Sequence, residues 1–405
     1  MLELEVTLSS LLNNKLELSL GCPFCHSVSV LQQYDKEITQ IEVWYSDENP
    51  LGNDLVLNLS NDGIKLIFDP YSQRVKMIEV YEMDKVSLRY HGKLFNSPSV
   101  SPTIQQISQS FGATIPCTPV LDENRQMYVM NFRGLAFYFA SENATANVGW
   151  DEDTGPSYWD MKVIKMQIYR GSSAKTAQAP ELPINLYTGV ALLEKAQVQR
   201  SNNHFTSLDL TLKVAPARLD ASEYTILSRQ IVFGLSCQEV ASRLGAPTRI
   251  FHKSDDKMKI HSSNPQRWTT TRTDCIYNYF SLGMDLIFDG YCYKLKKLVL
   301  HTNYPGHYDF NIYTRCNFTI PLSEHMELEH RMANPYQSDQ LTVTPFTKWV
   351  DIQPFGTRPK SVSVTRKATI NSSNPFEQTT CYGVQDMIFE VMKNKHIGSV
   401  VIYQI

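Results

Sequence analysis

Two cysteines three residues apart, in Cys22-Pro23-Phe24-Cys25-His26, have the spacing in this sequence that most invites chemistry. A C-x-x-C pair where a strand runs into a helix is the layout of a thiol-redox site, because the helix N-terminus stabilises the first thiolate. With the adjoining histidine, the same five residues match a c-type haem attachment sequence. Context argues against both. Haem attachment of this kind accompanies export, and Met1-Leu-Glu-Leu-Glu-Val6 is acidic and alternating, which predicts a strand and not a signal peptide. A thioredoxin-like site also needs a cis-proline loop facing the cysteines, and Thr114-Ile115-Pro116, which could imitate it, lies far downstream. Gly21 to Leu31 superposes on Gly234 to Leu244, where Leu235 and Gln238 stand in place of Cys22 and Cys25. The pair therefore predicts a helix start that carries thiols without using them.

The second candidate is a basic run. From Arg249 to Arg272, six cations (Arg249, Lys253, Lys257, Lys259, Arg267 and Arg272) face only Asp255 and Asp256, a local excess of four positive charges. His252, His261 and Trp268 lie among them, and Lys294, Lys296 and Lys297 follow on a strand. A basic loop with an aromatic suits an acidic head group, at about 1 kcal/mol per Lys or Arg near an anionic membrane. Taken alone, such a run is more often a solvated face whose charges do little. The candidate phosphoinositide contacts are Lys253, Lys257, Lys259, Arg267, Arg272, Lys294 and Lys296.

Other chemistry is not signalled. Asp62, Asp69, Asp285 and Asp289 flank two hairpins, but without a D-x-D-x-D-G loop they read as turn residues. The ten histidines lack H-x-x-x-H or H-x-H spacing, so no metal is expected. Nucleophile-elbow, Walker and dinucleotide glycine motifs are missing, so neither a cofactor nor catalysis is expected.

These residues sit in a frame that the sequence writes twice. Ile231 to Pro247 reads as a short amphipathic helix: Ser236 and Glu239 have capping-box spacing, Cys237, Val240, Ala241 and Leu244 make one apolar face, and Gly245 and Pro247 end it. Strand-like runs follow at Cys275 to Phe280, Gly283 to Phe288 and Leu295 to His301. Gly63 to Val80 aligns without gaps on Gly283 to Leu300, with Gly, Leu, Ile, Phe, Asp, Tyr and one Lys coincident. Fainter copies run from Ser101 through strands at Phe132 to Phe139 and Val163 to Tyr169, and from Thr347 through Tyr382 to Val391 and Ile397 to Tyr403. The fold class expected is α+β, sheet-dominated, with about four helix-plus-antiparallel-hairpin units packed together, since one such unit cannot bury both faces of its sheet. The halves expected are 1–175 and 183–405, with a linker at 171–182.

Composition sets wide bounds. The 405 residues are long enough for two or three cores, and 42% hydrophobic with 20% charged residues is ordinary for a folded protein. Net charge −3 provides no global field for nucleic acid. No apolar run approaches the ~18 residues of a spanning helix. Eight scattered cysteines predict reduced thiols in a cytoplasmic setting.

Several strings in order carry a resemblance. Lys253-Ser-Asp-Asp-Lys-Met-Lys-Ile-His-Ser262, Lys297-Leu-Val-Leu-His-Thr-Asn-Tyr-Pro-Gly-His-Tyr308, Phe310-Asn-Ile-Tyr313 and Asn374-Pro-Phe376 resemble the phagosome assembly factor 1 family. So do Asp62-Gly-Ile-Lys65, Gln109-Ser-Phe-Gly-Ala-Thr114, Asn131-Phe-Arg-Gly134 and Met387-Ile-Phe-Glu-Val-Met392. The resemblance implies a eukaryotic, cytoplasmic, non-enzymatic regulator of autophagy at the phagophore assembly site. It also implies a WD40 β-propeller partner, the breast carcinoma amplified sequence three protein, itself linked to phosphoinositides. Golgi-to-plasma-membrane transport, or a lipid- or small-molecule-handling enzyme or carrier, are the alternatives. The family supplies no catalytic or ligand residues to carry over.

Overall fold

The computed structural model describes residues 2–112, 117–122, 125–140, 159–181, 191–214, 224–252, 273–323, 340–352, 361–364 and 378–404. The chain divides into two compact units, Met1–Pro183 and Ile184–Ile405. Sheet dominates both, and the class is α+β.

In the first unit, β1 (Leu2–Val6), β2 (Ser10–Leu12) and β3 (Glu17–Ser19) lead into α1 (Phe24–Gln32). Then come β4 (Ile41–Trp44), β5 (Leu55–Leu59), β6 (Ile64–Phe68), β7 (Val75–Val80), β8 (Val86–Tyr90) and β9 (Lys93–Asn96). After α2 (Ile104–Phe111) follow β10 (Thr118–Asp122), β11 (Arg125–Phe132), β12 (Leu135–Ala140) and β13 (Val163–Tyr169). A five-stranded sheet has the order β3-β2-β1-β8-β9, with β1 and β8 parallel. An eight-stranded sheet has the order β10-β11-β12-β13-β7-β6-β5-β4. It is two antiparallel meanders, each following a helix, joined where β13 pairs with β7.

The second unit has the same plan. It runs β14 (Ala191–Ser201), β15 (His204–Val214), β16 (Thr225–Ile231), α3 (Cys237–Leu244), β17 (Arg249–His252), β18 (Cys275–Tyr279), β19 (Met284–Phe288) and β20 (Leu295–His301). It continues with β21 (Phe318–Ser323), β22 (Gln340–Val343), α4 (Trp349–Ile352), β23 (Ser361–Val364), β24 (Thr379–Val384), β25 (Met387–Val391) and β26 (Ile397–Tyr403). The five-stranded order is β16-β15-β14-β21-β22, with β14 and β21 parallel; the eight-stranded order is β17-β18-β19-β20-β26-β25-β24-β23.

Alternation builds the core. Ile64, Leu66 and Phe68 of β6 are buried, as are Met284, Leu286 and Phe288 of β19. Phe68 and Phe288 end their strands just past a bulge, opposite Val75 and Leu295, and neither is exposed. Burying an aromatic of this size contributes about 1.5–3 kcal/mol. Phe24 of α1 meets Phe68 edge to face at 5.0 Å, and Val240 and Leu244 of α3 join a continuous core with Ala196, Leu210 and Leu298. Gly63 and Gly283, both at positive φ (65° and 68°), accept from the amides of Tyr81 and His301 at 2.9 Å. A Cβ at Gly283 would strike the Thr314 carbonyl, so the glycine is required there twice over.

Some boundaries differ from expectation. After α3 come four strands and not three, because Arg249 to His252, expected as the start of a basic loop, pairs with β18 as β17. The run Phe132 to Phe139 is broken by a turn at Arg133-Gly134, and Tyr382 to Val391 by one at Gln385-Asp386, so each is parts of two strands. The Ser236–Glu239 capping box is present in both directions (3.2 and 2.8 Å), whereas Gly245 ends α3 at positive φ with an extended ψ of −176°, outside the left-handed helical region. Residues 171–181, expected as linker, lie in the first unit, where Ala174 and Ala177 pack on Met77, Val129, Ala136 and Tyr169.

Candidate functional site

The thiol pair is not built for redox chemistry. Cys22 precedes α1 and is buried, and burial pushes its thiol up to about 12. Cys25 is half-buried, and burial raises it too. A reactive thiol needs the opposite shift. Leu235, the counterpart of Cys22, is also buried, so the position serves the core. The double variant Cys22→Ala/Cys25→Ala is expected to retain whatever cellular activity the wild type shows, with at most a few degrees' loss in Tm. Loss of activity at unchanged Tm would restore a redox role.

Of the basic set, Lys253, Lys257, Lys259, Arg267 and Arg272, together with Trp268, lie outside the described residues. Lys294 is exposed. Lys296 is held between Asp274 (2.7 Å) and Asp289 (3.3 Å). Lys76, aligned with it in the first unit, makes the same kind of pair with Asp54 at 2.7 Å. The lysine shared by the two stretches thus ties β7 to the chain entering β5 and β20 to the chain entering β18, a structural use that leaves Lys296 partly neutralised.

The aspartates separate into two groups. Asp69 accepts from the Ser72 amide at 2.7 Å, and Asp289 accepts from the amides of Tyr291 (2.9 Å) and Cys292 (3.3 Å), which with Lys296 hold it down near 2. Both are turn residues, as expected. Asp285 is not. It is buried and accepts from His301 Nε2 (3.0 Å), Tyr313 Oη (2.9 Å) and Asn278 Nδ2 (2.7 Å). Asp309 lies 3.3 Å from His301 Nδ1, close enough for charge attraction but off hydrogen-bond geometry. The imidazole stacks on Tyr313 with centroids 3.7 Å apart and 8° between planes. Burial alone would lower the His301 pKa, but Asp285 and Asp309 outweigh it and raise it to about 9. Burial and the same carboxylates push Tyr313 up.

A second buried group is centred on Glu390, which accepts from Thr379 (2.7 Å) and Ser399 (2.8 Å), with His307 Nε2 at 3.5 Å. Burial opposes its ionisation, yet these partners hold it near 2. A third joins Arg200 to Asp386 at 2.5 Å. Composition and motif spacing signalled none of the three, because their members come from distant strands and a connecting segment.

A cavity of about 500 Å³ lies beside Thr380, Tyr382, Lys393 and Lys395; another of about 450 Å³ lies beside Phe205, Phe233 and Tyr403, and of the three groups only Asp386 reaches its lining. Among the described residues, no three His, Cys, Asp or Glu side chains are grouped to hold a metal ion. Among the same residues, no helix is long and apolar enough to cross a membrane.

A family model described as phagosome assembly factor 1 matches residues 14–403. The chain belongs to the phagosome assembly factor 1 family. It is 42% identical to a PHAF1 protein of Drosophila melanogaster, over 96% of this chain and 90% of the relative. It is 32% identical to PHAF1 proteins of Caenorhabditis elegans (96% and 91%) and Arabidopsis thaliana (95% and 90%). The family match takes in both units.

Proposed function

We propose that this chain is a non-enzymatic adaptor that regulates autophagy from the cytoplasm, gathering at the phagophore assembly site. In this reading it acts with a WD40 β-propeller partner of the breast carcinoma amplified sequence three type and meets phosphoinositide membranes. The observation that supports it best is the phagosome assembly factor 1 match, which runs through both units. The buried ionic groups agree with it: they are matched by fixed partners in the interior, as structural clamps are. We read the four helix-and-meander segments as copies of one unit, two in each half of the chain, with divergence concentrated in the connections.

The lipid contact we assign to Lys253, Lys257, Lys259, Arg267 and Arg272, with Lys294 beside them and Lys296 contributing least because two carboxylates already meet it. Such binding is electrostatic, and weakens with salt because the screening length is about 8 Å at physiological ionic strength. The propeller partner adds avidity by holding a second membrane contact. Co-sedimentation with phosphoinositide liposomes tests it. The wild type is expected to pellet at low salt, less so at physiological salt, and the triple variant Lys253→Glu/Lys257→Glu/Lys259→Glu to remain in the supernatant. Equal pelleting by both, or none by either, removes the patch. Failure of the chain to co-purify with the propeller removes the adaptor reading.

A further inference from the structure

We infer that the outer edge of β4 is a docking site for an extended, basic segment of a partner protein, which adds to the sheet as a further strand. This surface is distinct from the lipid patch and holds whether or not that patch does.

β4 is the last strand of its sheet, and among the described residues no strand pairs with its outer edge. Among the described residues, its row of amide and carbonyl groups is therefore left for a new strand. The apolar side chains of the strand are partly exposed: Ile41 is 38% exposed, Val43 40% and Trp44 45%. Pairing sets their faces. Glu42 lies opposite Asn58 and Trp44 opposite Val56, on one face; Ile41 and Val43 take the other. Both faces thus run out at this edge with apolar surface uncovered. Exposed aliphatic and aromatic side chains also occur on β17 and β23, but those strands lead directly into residues outside the described ones. The chain on either side of β4 is described throughout, from residue 33 to residue 55.

Charge selects the occupant. Exposed edges are commonly blunted with lysine. β4 has none and carries Glu42 instead. Residues 35–54 hold Asp35, Glu37, Glu42, Asp47, Glu48 and Asp54 against Lys36 alone. Asp54 is committed to Lys76. Like charges opposite one another oppose pairing, and opposite charges favour it. An acidic or neutral strand is thereby disfavoured at this edge. A strand with Lys or Arg at alternate positions fits it. Its cations lie on the Glu42 face, beside the Trp44 indole, where a cation is favoured over the ring. Lys65 already sits 5.1 Å from that ring, so the face accommodates ammonium groups. Its apolar residues lie beside Ile41 and Val43. Main-chain hydrogen bonds supply affinity and the alternating side chains supply selectivity, as in other added-strand recognition.

The test uses the full chain and three synthetic eight-residue peptides: alternating Lys and Val, alternating Glu and Val, and the Lys-Val peptide with proline at alternate positions. Calorimetry gives affinity, and amide hydrogen exchange gives location. The Lys-Val peptide is expected to bind at least tenfold more tightly than either of the others. It should slow exchange at residues 41–45, and lose affinity at least tenfold with Glu42→Lys and as salt rises. Glu48→Lys repeats the charge test if Glu42→Lys does not fold. Equal binding of the proline peptide would mean charge attraction without strand pairing and overturns the inference. So does equal binding of the Glu-Val peptide, protection confined to other residues, or no binding. A dimer at micromolar concentration whose 41–45 amides are already protected would make the occupant a second copy, and overturns it as well.

Discussion

His301→Ala is expected to destabilise the second unit by about 3–5 kcal/mol, the cost of removing one partner from a buried ionic group. The substitution leaves Asp285 and Asp309, both nearly inaccessible, facing each other without the imidazolium that now separates them. It also removes the ring on which Tyr313 stacks. Urea unfolding of the full chain, followed by near-ultraviolet signals and hydrogen exchange in β19 and β20, measures it. The pH dependence follows from the raised pKa. Below about 6.5 the histidine is protonated in both folded and unfolded chains, and its stabilisation is fully present. As pH rises towards 9 the unfolded chain gives up the proton while the folded one keeps it, so stability falls. Above the folded pKa the contribution is gone. Each tenfold difference in proton affinity between folded and unfolded chains corresponds to about 1.4 kcal/mol. The wild type should therefore lose stability between pH 6.5 and 9, and His301→Gln should lack that slope. Parallel slopes in the two proteins would show that His301 is not the group responsible.

Arg200→Ala and Asp386→Ala should each cost a similar ~3–5 kcal/mol, for a different reason. Arg200, on β14, is 5% exposed at its side chain, and Asp386, in the β24–β25 turn, 2%. The guanidinium donates to Asp386 Oδ1 (2.5 Å), Gln385 Oε1 (2.5 Å), the Pro321 carbonyl (3.4 Å) and the Asn203 carbonyl. The second Asp386 oxygen accepts from the Phe205 amide at 2.5 Å. One ion pair therefore fastens the five-stranded sheet of the second unit to a turn of its eight-stranded sheet. Removing either partner strands a buried charge and orphans backbone groups. Removing both, as Arg200→Met/Asp386→Leu, should cost clearly less than the sum of the two alanine variants. Additive losses in a double-mutant cycle of the alanine variants would mean that the two side chains act separately.

The frame was legible because it rests on local signals. A glycine at positive φ and alternating apolar residues appear in Gly63 to Val80 and again in Gly283 to Leu300, and the gapless match alone puts Phe68 and Phe288 in like positions. The shared lysine was legible too, although its role as an ion-pair anchor was not. The same alignment shows where reading stops. Tyr81, just past β7, and His301, the last residue of β20, occupy corresponding places, and Lys65 corresponds to Asp285. In the first unit Lys65 lies 4.3 Å from the Tyr81 ring; in the second, Asp285 pairs with His301. What converts one arrangement into the other is the longer connection 302–317, which brings Asp309 and Tyr313 over the sheet and has no counterpart between Val80 and Val86. No periodicity marks the residues of such a connection. The edge at β4 was likewise invisible, since Ile41-Glu42-Val43-Trp44 alternates as any half-buried strand does.

The parallel pairings within each five-stranded sheet bear on how the chain folds. β1 is bound on one side by its own hairpin and on the other by β8, with Leu2 opposite Val86; β14 waits in the same way for β21, with Ala196 opposite Phe318. An entire helix and four-stranded meander must be made, and must return to the starting point, before either strand gains that second neighbour. Contacts so distant along the chain impose a loop-closure entropy before they return any stabilisation, and slow folding. During synthesis each of these strands is therefore an unpaired edge until its unit's meander is complete, which makes it a natural ward of chaperones and places the aggregation hazard of this protein early in each half.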